Sequence, residues 1–163
     1  MRWSLSLKEM GDEMILHIED IFREVNIQNW YKGEARKNAD PDAVFVQSAA
    51  EEQESLLYYL RDAVTDVLTF ANANRVKFTC EYKDDSLVFS ISPLRAGREH
   101  LLELLKEVIR QYLVYEIRRL WMNNIRPEWA DSSLRESKRE NIRQAMNDVT
   151  AMGEKVRRRY TWI

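Results

Sequence analysis

The sequence contains two histidines, and one of them lies among carboxylates at a spacing that could bind a metal ion. Glu13, His17 and Asp20 are separated by four and three residues, so on an α-helix they would share one face. A complete site needs further ligands, and the paired Glu-x-x-His motifs of carboxylate-bridged di-iron bundles do not occur. The second histidine, His100, is expected at a helix surface. We therefore predict no metal and no cofactor.

Nucleophilic catalysis by Cys80, the single cysteine, would require a nearby base and an electropositive environment. Its alternation with Phe78 and Tyr82 instead indicates a small core residue. The sequence also lacks a glycine-rich phosphate loop, a G-x-S-x-G motif and zinc-type cysteine and histidine spacing. With only 4 glycines, it offers few tight backbone sites for cofactor phosphates. We predict that the protein is not an enzyme.

Basic residues accumulate late in the sequence, where residues 135–160 contain 8 Lys/Arg and 4 Asp/Glu. Such cations can neutralise phosphates while neighbouring aromatic rings stack on bases. Acidic residues interrupt the run, however, and the net charge of the whole chain is −2. A nucleic-acid-binding module that uses this basic C-terminal helix and tail is therefore an alternative hypothesis. Its contacts would come from Arg135, Lys138, Arg139, Arg143, Arg157, Arg158, Arg159, Tyr160 and Trp162.

The five tryptophans are informative because most of them fall outside the predicted helices. Trp121 ends an apolar helical stripe and is expected in the core. The other four lie at the ends of the sequence or in predicted loops, and aromatic residues with arginine are the usual anchors of protein–protein contacts. These positions predict an oligomer or docking surface. The candidate interface residues are Trp3, Trp30, Tyr31, Trp129, Arg157, Arg158, Arg159, Tyr160 and Trp162.

Length and composition indicate one domain over residues 1–163, long enough to bury a core without disulfides. A hydrophobic content of 45% excludes a disordered protein. The lone cysteine favours a reducing compartment, and we find neither a signal peptide nor an apolar run long enough to span a bilayer. We expect a cytoplasmic protein without a membrane partner.

The spacing of apolar residues predicts the helices of this domain. Residues 98–122 carry two adjacent apolar stripes, which indicates a long central helix covered on more than one side. A second helix is predicted over residues 48–71, with Ser48 and Glu51 at capping-box spacing. A closing helix with a stripe from Ile142 to Val156 should fold back antiparallel onto the central one. Its predicted start is a further capping box made by Ser133 and Glu136.

Residues 76–82 and 87–91 alternate with a period of two around the turn residues 83–85, which predicts a β-hairpin. Residues 9–25 fit a helix, although the local order ILHI also permits a strand. The glycine, proline, asparagine and aspartate residues of 26–43 predict a long loop, and residues 2–8 an edge strand or arm. The predicted fold is mainly α with a β-hairpin, in which an arm, helix and loop (1–43) precede a helical core (44–163).

Three segments together resemble small phage head–tail connector (adaptor) proteins and related prophage proteins. They are the acidic lead-in DPDAVFVQSAAEEQESLLYYL, the central LLELLKEVIRQYLVYEIRRLW and the closing charged helix ending in RRRY, which cover roughly residues 40–160. The resemblance implies a ring subunit that joins portal to tail through head-to-tail contacts with copies of itself and with other phage structural proteins. Its location would be the cytoplasm, or the virion after assembly.

The charge distribution suits such a contact. Residues 1–66 contain 7 Lys/Arg and 14 Asp/Glu, whereas residues 135–160 are net basic. Complementary halves favour a heterologous interface, in which one surface of a copy meets a different surface of the next. The leading hypothesis from the sequence is therefore a non-enzymatic phage- or prophage-derived structural protein.

Overall fold

The structure is a computed structural model and describes residues 13–36, 53–72, 76–95 and 97–150. These residues form four α-helices and one small antiparallel sheet, which confirms the mainly α class with a β-hairpin. In chain order the elements are β1 (Glu13–His17), α1 (Ile18–Arg36), α2 (Gln53–Ala71), β2 (Lys77–Lys83), β3 (Ser86–Ser92), α3 (Leu101–Ile125) and α4 (Arg135–Val149).

Helix α3 is the centre of the fold, as the sequence predicts. Leu105, Ile109, Leu113 and Ile117 are fully buried on it, and α1, α2, α4 and β1 all contact it. The helix ends at Ile125, two residues before Pro127 begins a short 3₁₀ turn, because proline disfavours helical geometry in the residue before it. Its broad apolar face therefore has partners on several sides.

The predicted hairpin is confirmed and gains a third strand. The strand order is β1-β3-β2, with β3 antiparallel to both neighbours. Lys83 pairs with Ser86, so Asp84 and Asp85 form a two-residue turn, and Asp84 has a φ of 53°, a conformation that aspartate tolerates. A hairpin alone is marginal in water, and the pairing of β1 with β3 supplies the missing support.

In the N-terminal region, both alternatives that the sequence left open occur in part, whereas the predicted loop was wrong. Within residues 9–25, Glu13–His17 is a strand, as the order ILHI permits, and a helix begins at Ile18. The loop predicted for 26–43 is helical as far as Arg36. The core-facing residues include Ile21, Val25 and Asn29, all fully buried, and the polar Asn29 hides the apolar period. Packing on α3 outweighs the weak helix propensity of asparagine and glycine.

Helix α4 packs antiparallel to α3, as predicted. Arg135 bonds to Glu116 whereas Arg139, one turn later, bonds to Tyr112, one turn earlier on α3. The capping box predicted for this helix was wrong, since its N-cap residue makes no side-chain capping bond. Instead the Ser133 backbone N–H donates to Asp131 Oδ1 at 2.9 Å.

Two other predictions fall outside the described residues, namely the capping box of Ser48 and Glu51 and the arm at residues 2–8. Among the helices that the structure describes, none combines the length and the apolar character that crossing a membrane requires.

Candidate functional site

A large groove lies along α1, between that helix, Leu57 of α2 and the turn formed by Asp84 and Asp85. Its volume is about 940 Å³, and its floor is mainly apolar, with Ile18 and Phe22 at one end. A groove of this size and composition is typical of surfaces that receive another protein or a ligand.

Three large side chains of α1 stand at this groove with much of their surface in solvent. Ile27, Trp30 and Tyr31 are 44%, 46% and 63% exposed, and the rings of Trp30 and Tyr31 meet edge to face with centroids 5.1 Å apart. Residues three and four apart share a helix face, so this outer face is distinct from the buried one. Exposed aromatic and aliphatic residues placed together are the usual anchors of a protein interface.

The rim of the groove is acidic. Among the described residues, Glu19, Asp84 and Asp85 line it together with one cation, Arg23. Arg23 is already paired, with Glu19 at 3.7 Å and with Asp20 at 3.2 Å. Because complementary potentials steer and orient partners, a basic partner with apolar anchors would fit this groove best.

The cations of α4 are, by contrast, largely engaged within the chain. Arg139 Nη2 lies 2.6 Å from Asp66 Oδ1, and Arg143 Nη1 lies 2.8 Å from Glu136 Oε1. Both guanidinium groups also lie over the ring of Phe70. Arg139 attaches α4 to α2 and Arg143 pairs within α4. Fewer positive charges of this helix are therefore available to nucleic-acid phosphates than its composition indicates.

A buried ionic cluster joins α3 to α4 around Glu116. This side chain is 2% exposed and accepts hydrogen bonds from Arg119 at 2.7 and 2.9 Å and from Arg135 at 2.9 and 3.2 Å. Both of its oxygens are therefore satisfied by charge-assisted bonds. The cluster holds α3 and α4 in register. Its role is structural, because the two guanidinium groups already donate hydrogen bonds to both oxygens of the carboxylate.

A second cluster ties α2 to both helices. The Tyr112 hydroxyl donates to Asp66 Oδ2, while Arg139 Nη2 donates to Asp66 Oδ1. Burial tends to raise the pKa of Asp66, but the bonds from Arg139 and Tyr112 outweigh it and leave that pKa below its ordinary value. Burial and the same bond to Asp66 raise the pKa of Tyr112. Asp66 is therefore a carboxylate that the native state holds in its ionised form.

This arrangement predicts a specific loss of stability in acid. The native state gains stability from ionised Asp66 above the ordinary pKa of 3.8, and it loses that gain as pH falls through the lower folded-state pKa. We expect wild type to exceed Asp66→Asn in unfolding free energy at about pH 6, and the difference to shrink at about pH 3. Urea denaturation at both values measures this, with exposed Asp62→Asn as the matched control. A difference independent of pH would contradict the assignment.

The residues considered for catalysis or metal binding are not assembled into a site. Glu13 and His17 lie on β1 rather than on a helix with Asp20, and His17 Nδ1 is 3.0 Å from Ser86 Oγ. No group of three metal-ligating side chains occurs within the described ranges. Burial, with a smaller effect of Glu81, raises the pKa of Cys80 to about 12. At neutral pH this half-buried cysteine is therefore a thiol, which is a weak nucleophile.

The predicted interface residues divide into three groups. Trp30 and Tyr31 are exposed at the groove, as an interface requires. Trp129 is 7% exposed and belongs to the core, so it offers no open ring to a partner, whereas Trp121 is in the core as predicted. The candidates outside the described residues are Trp3, Arg157, Arg158, Arg159, Tyr160 and Trp162.

Sequence reasoning missed Ile27 and Leu57, which complete the apolar surface, and the acidic turn at its rim. The i, i+3, i+4 spacing of Ile27, Trp30 and Tyr31 would have indicated a shared face, had residues 26–36 been recognised as helical.

Comparison of the chain with protein-family models, with curated proteins and with solved structures finds no match.

Proposed function

We propose that the chain is a non-enzymatic structural protein of phage or prophage origin that assembles through contacts with copies of itself and with other structural proteins. The observation that carries this proposal is the groove along α1, where Ile27, Trp30 and Tyr31 remain exposed beside an acidic rim. Burying large apolar side chains on association is favourable by roughly 25 cal/mol per Å² of apolar area. A connector-type ring subunit is the specific form that the sequence resemblance suggests.

The chain itself carries a segment with the chemistry that this groove would accept. Residues 155–163, KVRRRYTWI, combine Arg157–Arg159 with Tyr160 and Trp162. Aromatic side chains would occupy the apolar floor while arginines face the acidic rim, a pairing that uses the residue types most common in interface hot spots. Contact between the groove of one copy and this segment of the next is heterologous, so it generates a ring or an open filament.

The assembly prediction can be tested on the full chain. We expect wild type to form oligomers as its concentration rises, and Trp30→Ala/Tyr31→Ala to weaken self-association by about thirtyfold or more, because loss of one hot-spot aromatic already costs at least about 2 kcal/mol. Sedimentation velocity over a concentration series measures the change. Ile125→Ala removes a similarly exposed apolar side chain outside the groove and should leave assembly unchanged.

A mixing experiment distinguishes head-to-tail contact from other modes. The groove variant Trp30→Ala/Tyr31→Ala and a variant with Arg157, Arg158 and Arg159 changed to glutamate should each fail to assemble alone. Their mixture should form a complex of two and stop there, since only one intact groove and one intact segment remain to meet. A mixture that stays monomeric, or a groove variant that assembles like wild type, would refute the proposed contact.

The same material tests the nucleic-acid alternative. DNA or RNA binding that weakens steeply with salt, is lost on changing Arg157–Arg159 and is unaffected by the groove variant would favour that function instead. A wild-type protein that remains monomeric at all concentrations, both alone and mixed with the products of neighbouring genes, would count against assembly.

A further inference from the structure

A second, more polar pocket lies on another side of α1, where that helix meets α3 and α4. Its volume is about 370 Å³, and three cations, Arg110, Arg118 and Lys138, line it. Tyr115 and Gln111 add polar groups, and Glu24 is the one carboxylate among the described lining residues. The pocket is separate from the groove and plays no part in the proposed assembly contact.

Arg118 is held in this pocket by neutral groups. Its Nε donates to Asn29 Oδ1 at 3.1 Å and its Nη1 donates to Gln28 Oε1 at 2.8 Å. Within the described ranges it forms no salt bridge with a carboxylate, although the more distant Glu24 acts on it through space. Burial lowers the pKa of the Arg118 guanidinium. A desolvated cation with only amide partners is costly, so an anion that reached it would be bound favourably.

The neighbouring groups leave a second cation available. Lys138 Nζ lies 5.6 Å from the ring centre of Tyr115 and has no salt bridge among the residues that the structure describes. Arg110 differs, since Glu107 binds its guanidinium through two bonds of 2.7 and 3.0 Å. Glu24 accepts a hydrogen bond of 2.7 Å from the Gln28 side chain.

A buried side-chain N–H group next to Arg118, that of Asn29, also lacks an acceptor among the described residues. Asn29 is fully buried, its Oδ1 accepts from Arg118, and its Nδ2 has no hydrogen-bond partner among the described residues. Buried polar groups are nearly always hydrogen-bonded, so a donor without an acceptor beside a guanidinium that has only amide partners is an exception. This N–H belongs to the same amide whose Oδ1 accepts from Arg118, although Asn29 is not among the described residues that line the pocket.

We propose that this pocket binds a phosphate group, as inorganic phosphate or as a small phosphate monoester, between Arg118 and Lys138. Phosphate carries a charge of about −1.5 to −2 at pH 7, which matches two cations that lack carboxylate partners. A guanidinium presents planar paired donors to phosphate oxygens, and an ammonium supplies a point charge. A single carboxylate ligand would neutralise only one of the two cations. The pocket volume leaves room for a small group attached to the phosphate.

Equilibrium dialysis of the full chain against radiolabelled inorganic phosphate, at constant ionic strength, tests the site. We expect Lys138→Met and Arg118→Met each to raise the Kd for phosphate by about tenfold or more, as loss of a charge-assisted hydrogen bond does. Lys77→Met is the matched control, because it removes an exposed cation of β2 and should leave the Kd unchanged. Glu24→Gln should lower the Kd, since it removes the opposing carboxylate.

Several results would overturn the assignment. One is a phosphate Kd that changes equally in Lys77→Met and Lys138→Met. Another is competition by acetate as strong as that by unlabelled phosphate, and a third is phosphate binding no greater than in an ionic-strength control. Far-UV circular dichroism confirms that each variant is folded, and Glu24→Gln tests the site with a change that should strengthen binding. The assembly variant Trp30→Ala/Tyr31→Ala should bind phosphate normally, so failure of either proposal is recognised independently.

Discussion

Replacing Leu105 by alanine should lower the free energy of unfolding by about 2 to 5 kcal/mol, the range for a buried leucine whose cavity does not collapse fully. Leu105 is 0% exposed and lies on the central helix α3 in the main core cluster. The loss combines the transfer free energy of the removed methyl groups with the cost of the cavity. Urea denaturation, followed by circular dichroism at a concentration where self-association is negligible, measures it.

The residue before it provides a control of the same type on the same helix. Leu104 is 50% exposed, so Leu104→Ala removes an equal number of atoms from a surface site. We expect a change within about 0.5 kcal/mol, because surface substitutions are small and alanine is a good helix former. Equal losses for the two variants would mean that the face of α3 described as buried is not the one that carries the core.

Glu116→Gln should be the most costly polar substitution, lowering the free energy of unfolding by about 3 kcal/mol. The change keeps the shape of the side chain but removes the negative charge that Arg119 and Arg135 share. Two guanidinium groups would then face each other across a neutral amide at a site that is 2% exposed. Breaking one partner of a buried ion pair is more damaging than losing a surface pair. Urea denaturation at neutral pH again gives the value.

Glu140→Gln is the matched control for this substitution. Glu140 lies 3.1 Å from Arg143, but its side chain is 66% exposed, so solvent screens the pair. Exposed ion pairs contribute at most about 1 kcal/mol, and we expect the loss to stay below that figure. If both variants lost the same stability, the Glu116 cluster would be an ordinary surface network rather than a buried connection between helices.

The elements that the sequence predicted well are those whose pattern is local. Helix α3 has a wide apolar stripe at helical spacing, and β2 and β3 alternate with a period of two around an acidic turn. Each of these signals is contained in a window shorter than the element itself. The function proposed from the resemblance stays a prediction.

Helix α1 shows where local pattern was insufficient. Asn29 occupies a fully buried position that an apolar residue would normally hold, and Gly33 lies inside the helix. Both residues weaken the helical pattern of the segment around them. The contacts that stabilise the helix nevertheless come from residues far away in the sequence. Asn29 is held by Arg118, which is 89 residues away in the sequence. Without those distant contacts, residues 26–36 read as a loop.

By itself, the sequence determined the class of fold, the long central helix, the hairpin and the burial of Trp121, because apolar periodicity is a property of neighbouring residues. Only the tertiary structure decided that Trp30 and Tyr31 border a groove while Trp129 is buried. It also decided that Arg139 donates a hydrogen bond to Asp66, 73 residues earlier, whereas the adjacent Lys138 lines a pocket. Residues so far apart meet only when the helices pack, and no local spacing encodes which of two adjacent cations will find a carboxylate.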